Sequence, residues 1–192
     1  NRFATGYILG ATEAAKEMKK SIEMRISFLH GNTFSASSEL QAQINGWYEN
    51  GTEVVFSCGG SMVNSVIAAA DAKNGKVIGV DTDQSKLSDR IITSAVKGLA
   101  NSVKWALGEF YAGKWEAIGG TGNQLGATDD ATGLPTAAAS WKMTKFTIDE
   151  YNALLAKVKA GTIKINISEY DEALTWVEKL TVDGTITVAL EK

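Results

Sequence analysis

"VIGVDTDQ" (residues 77–84) decides the fold class. Val77, Ile78 and Val80 make a run that is apolar on both faces, and it stops abruptly at Asp81 and Asp83. A strand apolar on both faces suits a parallel sheet covered by helices on each side. With Lys76 the strand spans 76–81. Upstream, "EVVFSC" (53–58) has the same character, as does "RIITSAV" (90–96) downstream; "MRISFL" (24–29) is a fourth strand, ended by the turn residues of "HGN". Helices are expected between them. Residues 5–20 carry Ile8, Ala11, Ala15 and Met18 on one face; residues 35–49 stop at Gly51; a Gly-rich turn opens 59–75, closed by Asn74 and Gly75; and 99–113 ends at a glycine. Alternating strands and helices predict an α/β fold with a parallel sheet and helices on both faces.

Residues 114–146 are Gly- and Thr-rich, hold the sole proline, Pro135, and read as strands and long loops packed on other structure. Thr147 and Glu150 then form a capping box for a helix that stops at Gly161. "TIKINI" (162–167) reads as a strand, and "LTVDGTITVAL" (180–190) as a hairpin turning at Asp183–Gly184.

The 192 residues, 44% of them hydrophobic, can bury a core. A net charge of −3, with Lys and Arg scattered among acids, argues against nucleic acid as a partner. One cysteine, Cys58, allows no disulfide within the chain, and one histidine, His30, makes a His-based metal cluster improbable. No apolar run is long enough to span a membrane. Cys58 reads as a small buried filler, His30 as a local hydrogen-bonder, and Trp47, Trp105, Trp115, Trp141 and Trp176 as packing residues.

In parallel sheets ligands bind beyond the carboxyl ends of the strands. Phe34, the Gly59–Gly60 turn, Asp81 and Lys97 each follow a strand, so they should line one edge. An ionised Asp81 accepts hydrogen bonds only, which suits the vicinal hydroxyls of a ribose; the plainer reading is a helix cap or turn acid. Asp83, followed by Gln-Ser, fits the turn role better. Lys97 could donate to ligand oxygens or simply be solvated. Phe34 stands amid small polar residues and either stacks on a flat ligand or packs under its loop. Gly59–Gly60–Ser61 opens a helix and could offer backbone N–H groups to a ligand, and "GGTGNQLG" (119–126) is a weak match to a dinucleotide fingerprint. For both, a tight turn is the alternative. A strand ending Asp-x-Asp also opens haloacid-dehalogenase-type phosphatases and occurs in glycosyltransferases. Either would need further carboxylates around Mg²⁺, for which Asp129 and Asp130 are the candidates.

These segments together resemble the basic-membrane-protein, or purine-nucleoside-receptor, family of ABC-transporter substrate-binding lipoproteins. "NRFATGYILGA", "NTFSASSELQAQINGWYENGTEVVFSCGG", and "VIGVDTDQ" with "IITSAVK" carry the likeness, over residues 1–113 closely and 114–165 loosely. The resemblance implies a type I periplasmic-binding fold with residues 1–113 as the second lobe. Residues 114–167 would cross over and pack on a first lobe outside this chain, and 168–192 would form a tail. It implies no catalysis and no cofactor: Phe34 would stack on a purine base, Gly60 would offer backbone contacts, and Asp81 and Lys97 would grip the ribose. The partners would be a purine nucleoside and an ABC permease, with no nucleic acid. The location would be extracytoplasmic, periplasmic or at the cell surface, held to the membrane by an amino-terminal lipid anchor outside this chain. A sugar-binding or sensory relative of the same fold is the other implied class. Two departures stand out: Gly59-Gly60-Ser61-Met62-Val63 replaces the family's Gly-Gly-Thr-Gly-Asn, and Ala36 stands where an acid is usual.

Overall fold

The structure, a computed structural model, describes residues 2–163 and 186–191. Helix α1 (Arg2–Met18) buries Thr5, Ile8, Thr12 and Ala15, one stripe at helical spacing. Strand β1 (Ile22–Ser27) follows. Helix α2 (Ser38–Glu49) starts three residues later than its composition predicts, because Ser37 is the cap: its hydroxyl accepts from Leu40 N at 3.1 Å. Strand β2 (Val54–Phe56) leads through a 3₁₀ turn (Gly60–Met62) into α3 (Val63–Lys73). Asn74, left-handed at φ +57°, ends that helix.

Strand β3 (Lys76–Asp81) has the bounds expected of it, and β4 (Ile91–Lys97) gains Lys97 as its last residue. Helices α4 (Leu99–Tyr111) and α5 (Trp115–Ile118) and a short strand β5 (Thr132–Gly133) come next. Helix α6 (Ile148–Lys159) carries the expected capping box: Glu150 N donates to Thr147 Oγ1 at 3.2 Å, and Thr147 N to Glu150 Oε2 at 2.7 Å. Strand β6 (Ile186–Glu191) is the last described element. The strand expected over 162–167 begins in a bend at Thr162 and Ile163; its other residues, the Asp183–Gly184 turn and Trp176 lie outside the described residues.

The strands form two sheets. One has the order β2-β3-β4-β5, parallel except for the antiparallel β4–β5 pair. The other pairs β1 with β6 in parallel, Ile22 opposite Ile186. The class is α/β with parallel sheets and helices, as expected, although β1 hydrogen-bonds to β6 rather than joining the larger sheet. The main core brings Leu40, Ile44 and Tyr48 of α2 onto Val66, Ala69 and Ala70 of α3 and onto Val55, Val77 and Ile91 of the sheet. Tyr48 closes one end, its hydroxyl donating to Lys76 O at 2.7 Å. Gly75 lets the ring come that close: a Cβ there would sit 2.2 Å from Tyr48 Cε1.

Helix α4, although 13 residues long, buries none of them. Leu99, Val103, Leu107 and Phe110 are exposed along one stripe, and Trp115 of α5 stands beside Phe110, edge to face at 5.9 Å. Trp115 is therefore half exposed, not the packing residue the sequence led us to expect. Trp47 and Trp141 do pack: Trp47 lies against the main core, and Trp141 against Phe146 and Tyr151. Cys58 also departs from expectation. Strand β2 ends at Phe56, and two residues later the thiol is exposed.

Candidate ligand-binding site

The parallel register sets the carboxyl ends of β2, β3 and β4 side by side, with Phe56 opposite Ile78 and Asp81 opposite Val96. Asp81 and Lys97 terminate adjacent strands and meet, Lys97 Nζ lying 2.6 Å from Asp81 Oδ1. Both remain open to solvent, with 41% of the Asp81 side chain and 49% of the Lys97 side chain exposed. A pair so exposed contributes at most about 1 kcal/mol to folding. Its chemistry points outward: a carboxylate that accepts stands next to an ammonium that donates, a combination that can serve two neighbouring hydroxyls.

Backbone geometry marks the same place. Asp81 has φ +68°, a left-handed conformation that L residues adopt at a cost and Asp tolerates better than most. Thr82 N donates to Val80 O at 2.8 Å, which closes a three-residue turn around Asp81. The second acid is occupied structurally: Asp83 Oδ1 accepts from Ser85 N at 3.0 Å and Oδ2 from Ser140 Oγ at 2.6 Å. Such burial as it has pushes the Asp83 carboxyl up, but the bonds from Ser140 and Ser85 and the charge of Lys86 hold it below the ordinary range. Asp83 is thus the turn acid its sequence context predicts. Of the other acids weighed for a metal, Asp129 Oδ2 accepts from Gly126 N and Asp130 pairs with Lys159. No group of three potential metal ligands occurs among the described residues.

Phe34 and Gly60 also meet. Phe34 O accepts from Ser61 N at 3.1 Å and from Ser61 Oγ at 3.2 Å, which seats the Phe34 loop on the glycine turn. Both residues have positive φ, and a Cβ on Gly60 would approach Phe34 O to 3.2 Å. The loop is anchored behind by Ser37 and Ser65, since Ser37 N donates to Ser65 Oγ and Ser65 Oγ donates to Ser37 O, both at 2.9 Å. Phe34 stands 59% exposed, a free aromatic face. Among the described residues no hydrogen bond or ion pair joins Phe34 and Gly60 directly to Asp81 and Lys97. Gly60, Asp81 and Lys97 follow or end strands of one sheet, whereas Phe34 follows β1 of the other sheet and reaches that edge only through its bonds to Ser61.

Phe3 was not singled out by sequence, although it lies within the opening stretch that carries the resemblance. The Lys97 ammonium sits over its ring, 5.6 Å from the centroid, and the ring meets Phe56 at 6.4 Å. An aromatic beneath an exposed ammonium adds about 0.5–1 kcal/mol and restrains it. An aromatic on the first turn of a helix gives no local signal of this contact. The "GGTGNQLG" stretch proves to be a turn, as Asn123 Nδ2 donates to Ile118 O at 3.0 Å and to Thr121 O at 3.2 Å.

The family model for "ABC transporter substrate-binding protein PnrA-like" matches residues 1–169. The chain belongs to that family. A relative from Lactococcus lactis subsp. cremoris (strain MG1363), the ABC transporter nucleoside-binding protein BmpA, is 28% identical over an alignment covering 54% of this chain and 33% of the relative. A crystal structure of an ABC transporter system solute-binding protein from Aeropyrum pernix K1 superposes with a TM-score of 0.61 at 20% identity, covering 93% of this chain and 57% of that one. The likeness of fold is therefore to solute-binding proteins. The chain spans about a third of the curated relative's length and just over half of the solved structure's. No helix among the described residues is long and apolar enough to cross a membrane.

Proposed function

We propose that this chain forms one wall of a purine-nucleoside pocket in an ABC-transporter receptor and carries out no catalysis. The observation that carries the reading is the Asp81–Lys97 pair at the ends of adjacent parallel strands, on the edge where Phe34 stands free above Gly60. In this arrangement Phe34 stacks on the base, Gly60 keeps the backbone close to the ligand, and the pair takes the two ribose hydroxyls. The nucleoside-binding relative supports the ligand class. The edge is an open face, so the second wall comes from a first lobe, and the apolar stripe of α4 is a face such a lobe would cover. Closure of the two lobes on the ligand then presents a changed surface to the permease. The receptor acts outside the cytoplasm, held to the membrane by a lipid anchor.

The test is a calorimetric titration of the complete protein with purine ribonucleosides and their 2′-deoxy counterparts. Ribonucleosides should bind at least about tenfold more tightly, because a site built to pair with a hydroxyl leaves buried polar groups unpaired when it is missing. Equal affinity for the two series would remove the ribose contact, and no affinity for either would remove the ligand class.

A further inference from the structure

Alternate residues of a parallel strand turn their backbone polar groups toward the same neighbour. In β3, Ile78 faces β2, its carbonyl accepting from Ser57 N at 3.0 Å. Two residues on, Val80 faces the same side, but β2 has ended at Phe56 and the chain has turned away into Gly59. Val80 is buried, and a buried N–H without a partner is costly. Gln84 fills the place of the departed strand: its Oε1 accepts from Val80 N at 2.9 Å. The Gln84 backbone is fixed in turn, its N–H donating at 3.1 Å to the hydroxyl of Ser94, a fully buried residue of β4. The fit is close, since a Cβ on Gly79 would lie 2.6 Å from Gln84 Oε1 and 2.7 Å from Ser94 Oγ.

Both backbone polar groups of Val80 are thereby held, the N–H by the Gln84 side chain and the carbonyl by Thr82 N. Between them lies Asp81 at φ +68°. A three-residue turn with positive φ at its centre is the strained form of its kind and persists only where the surroundings impose it.

We propose that Gln84 is a positioning residue for the ligand: it stands in for a strand, holds the turn that contains Asp81, and so aims the Asp81 carboxylate beside Lys97. It does not itself touch the ligand. The inference rests on the reading above, in which Asp81 and Lys97 take the ribose hydroxyls.

The test is Gln84→Met in the complete protein, which keeps the length of the side chain and removes the amide. Affinities for a purine ribonucleoside and its 2′,3′-dideoxy counterpart are measured together with the melting temperature. Ribonucleoside affinity should fall about three- to tenfold, the scale of one weakened hydrogen bond, while the affinity of the 2′,3′-dideoxynucleoside, which lacks both hydroxyls, stays near that of the parent. The ratio between the two thus shrinks. Equal losses for both ligands, or a lowered melting temperature with the ratio intact, would mean that Gln84 only stabilises the turn, and the proposal would be overturned. Asp81→Asn in the same assay separates the two ideas. If it leaves the ratio unchanged, the ribose reading fails and this proposal with it; if it abolishes the ratio while Gln84→Met does not, only the role of Gln84 fails. Should Gln84→Met not fold, Ser94→Ala, which removes the acceptor for Gln84 N, is judged by the same ratio.

Discussion

Replacing Asp81 is the most direct trial of the site, and the choice of replacement matters. Alanine would remove the carboxylate and also place a residue with no local hydrogen-bonding side chain at φ +68°, which costs roughly 1–2 kcal/mol of folding stability. Asparagine tolerates that conformation and keeps the shape, but presents one acceptor and two donors in place of a charged acceptor pair. Loss of the ion pair with Lys97 should hardly affect stability, because both side chains are more than 40% exposed. The effect should therefore fall on binding. A hydrogen bond to a charged group is worth about 1.5–3 kcal/mol, so Asp81→Asn should weaken purine ribonucleosides by roughly 10- to 150-fold. Calorimetry on the complete protein, with a melting curve as control, measures both. Unchanged affinity with unchanged melting would refute the assignment of Asp81 to the ligand. Unchanged affinity with a large fall in melting temperature would show that the pair serves the fold.

Three further outcomes are expected. Residues 1–192 purified alone should bind purine nucleosides no tighter than about millimolar, near −4 kcal/mol, since stacking on one face of Phe34 supplies only about 1–3 kcal/mol against the freedom lost on association; a thermal-shift titration giving micromolar affinity would contradict this. Tyr48→Phe should cost about 1–2 kcal/mol in urea unfolding, because the carbonyl of Lys76 loses its donor; a change within error would show that water replaces the hydroxyl without loss. Asp83 has a folded pKa below its ordinary value, so its contribution is fully present above about pH 4 and is lost as pH falls through the lower, folded value. The acid-induced fall in melting temperature should accordingly be shallower in Asp83→Asn, and parallel curves for the two proteins would contradict the linkage.

The legible parts of this chain were those set by neighbours in sequence. Strand β3 was read to its exact bounds because Asn74–Gly75 precedes it and Asp81 ends it, and the Thr147–Glu150 capping box is a four-residue pattern. The edge holding Asp81 and Lys97 followed from two apolar strands ending in charged residues, and the structure brings that pair into contact. What stayed hidden depends on partners distant in the chain. Nothing near Ile22 signals pairing with Ile186, so β1 was assigned to the wrong sheet and begun two residues late. Strand β5 is two residues long and is defined only by its pairing with Val96 and Lys97. Phe3 gains its place from a cation on another element. Gln84 looked like part of an ordinary turn, because its task arises from β2 being too short, and a strand's length relative to its neighbour's is a property of the sheet.

The β1–β6 ladder also bears on how the molecule assembles over time. Its two strands are some 160 residues apart, and closing a loop of that size costs on the order of 4–5 kcal/mol of chain entropy before any pairing contact repays it. Strand β1 leaves the ribosome some 160 residues before β6 exists, so its β6-facing edge stays unmatched while that stretch is made. The β2–β3–β4 sheet, whose strands follow one another closely, can form in that interval, with β1 joining β6 as a late and slow step. During that delay the exposed backbone of β1 can pair with other chains, and folding yield should fall more steeply with concentration than the stability of the finished molecule would imply.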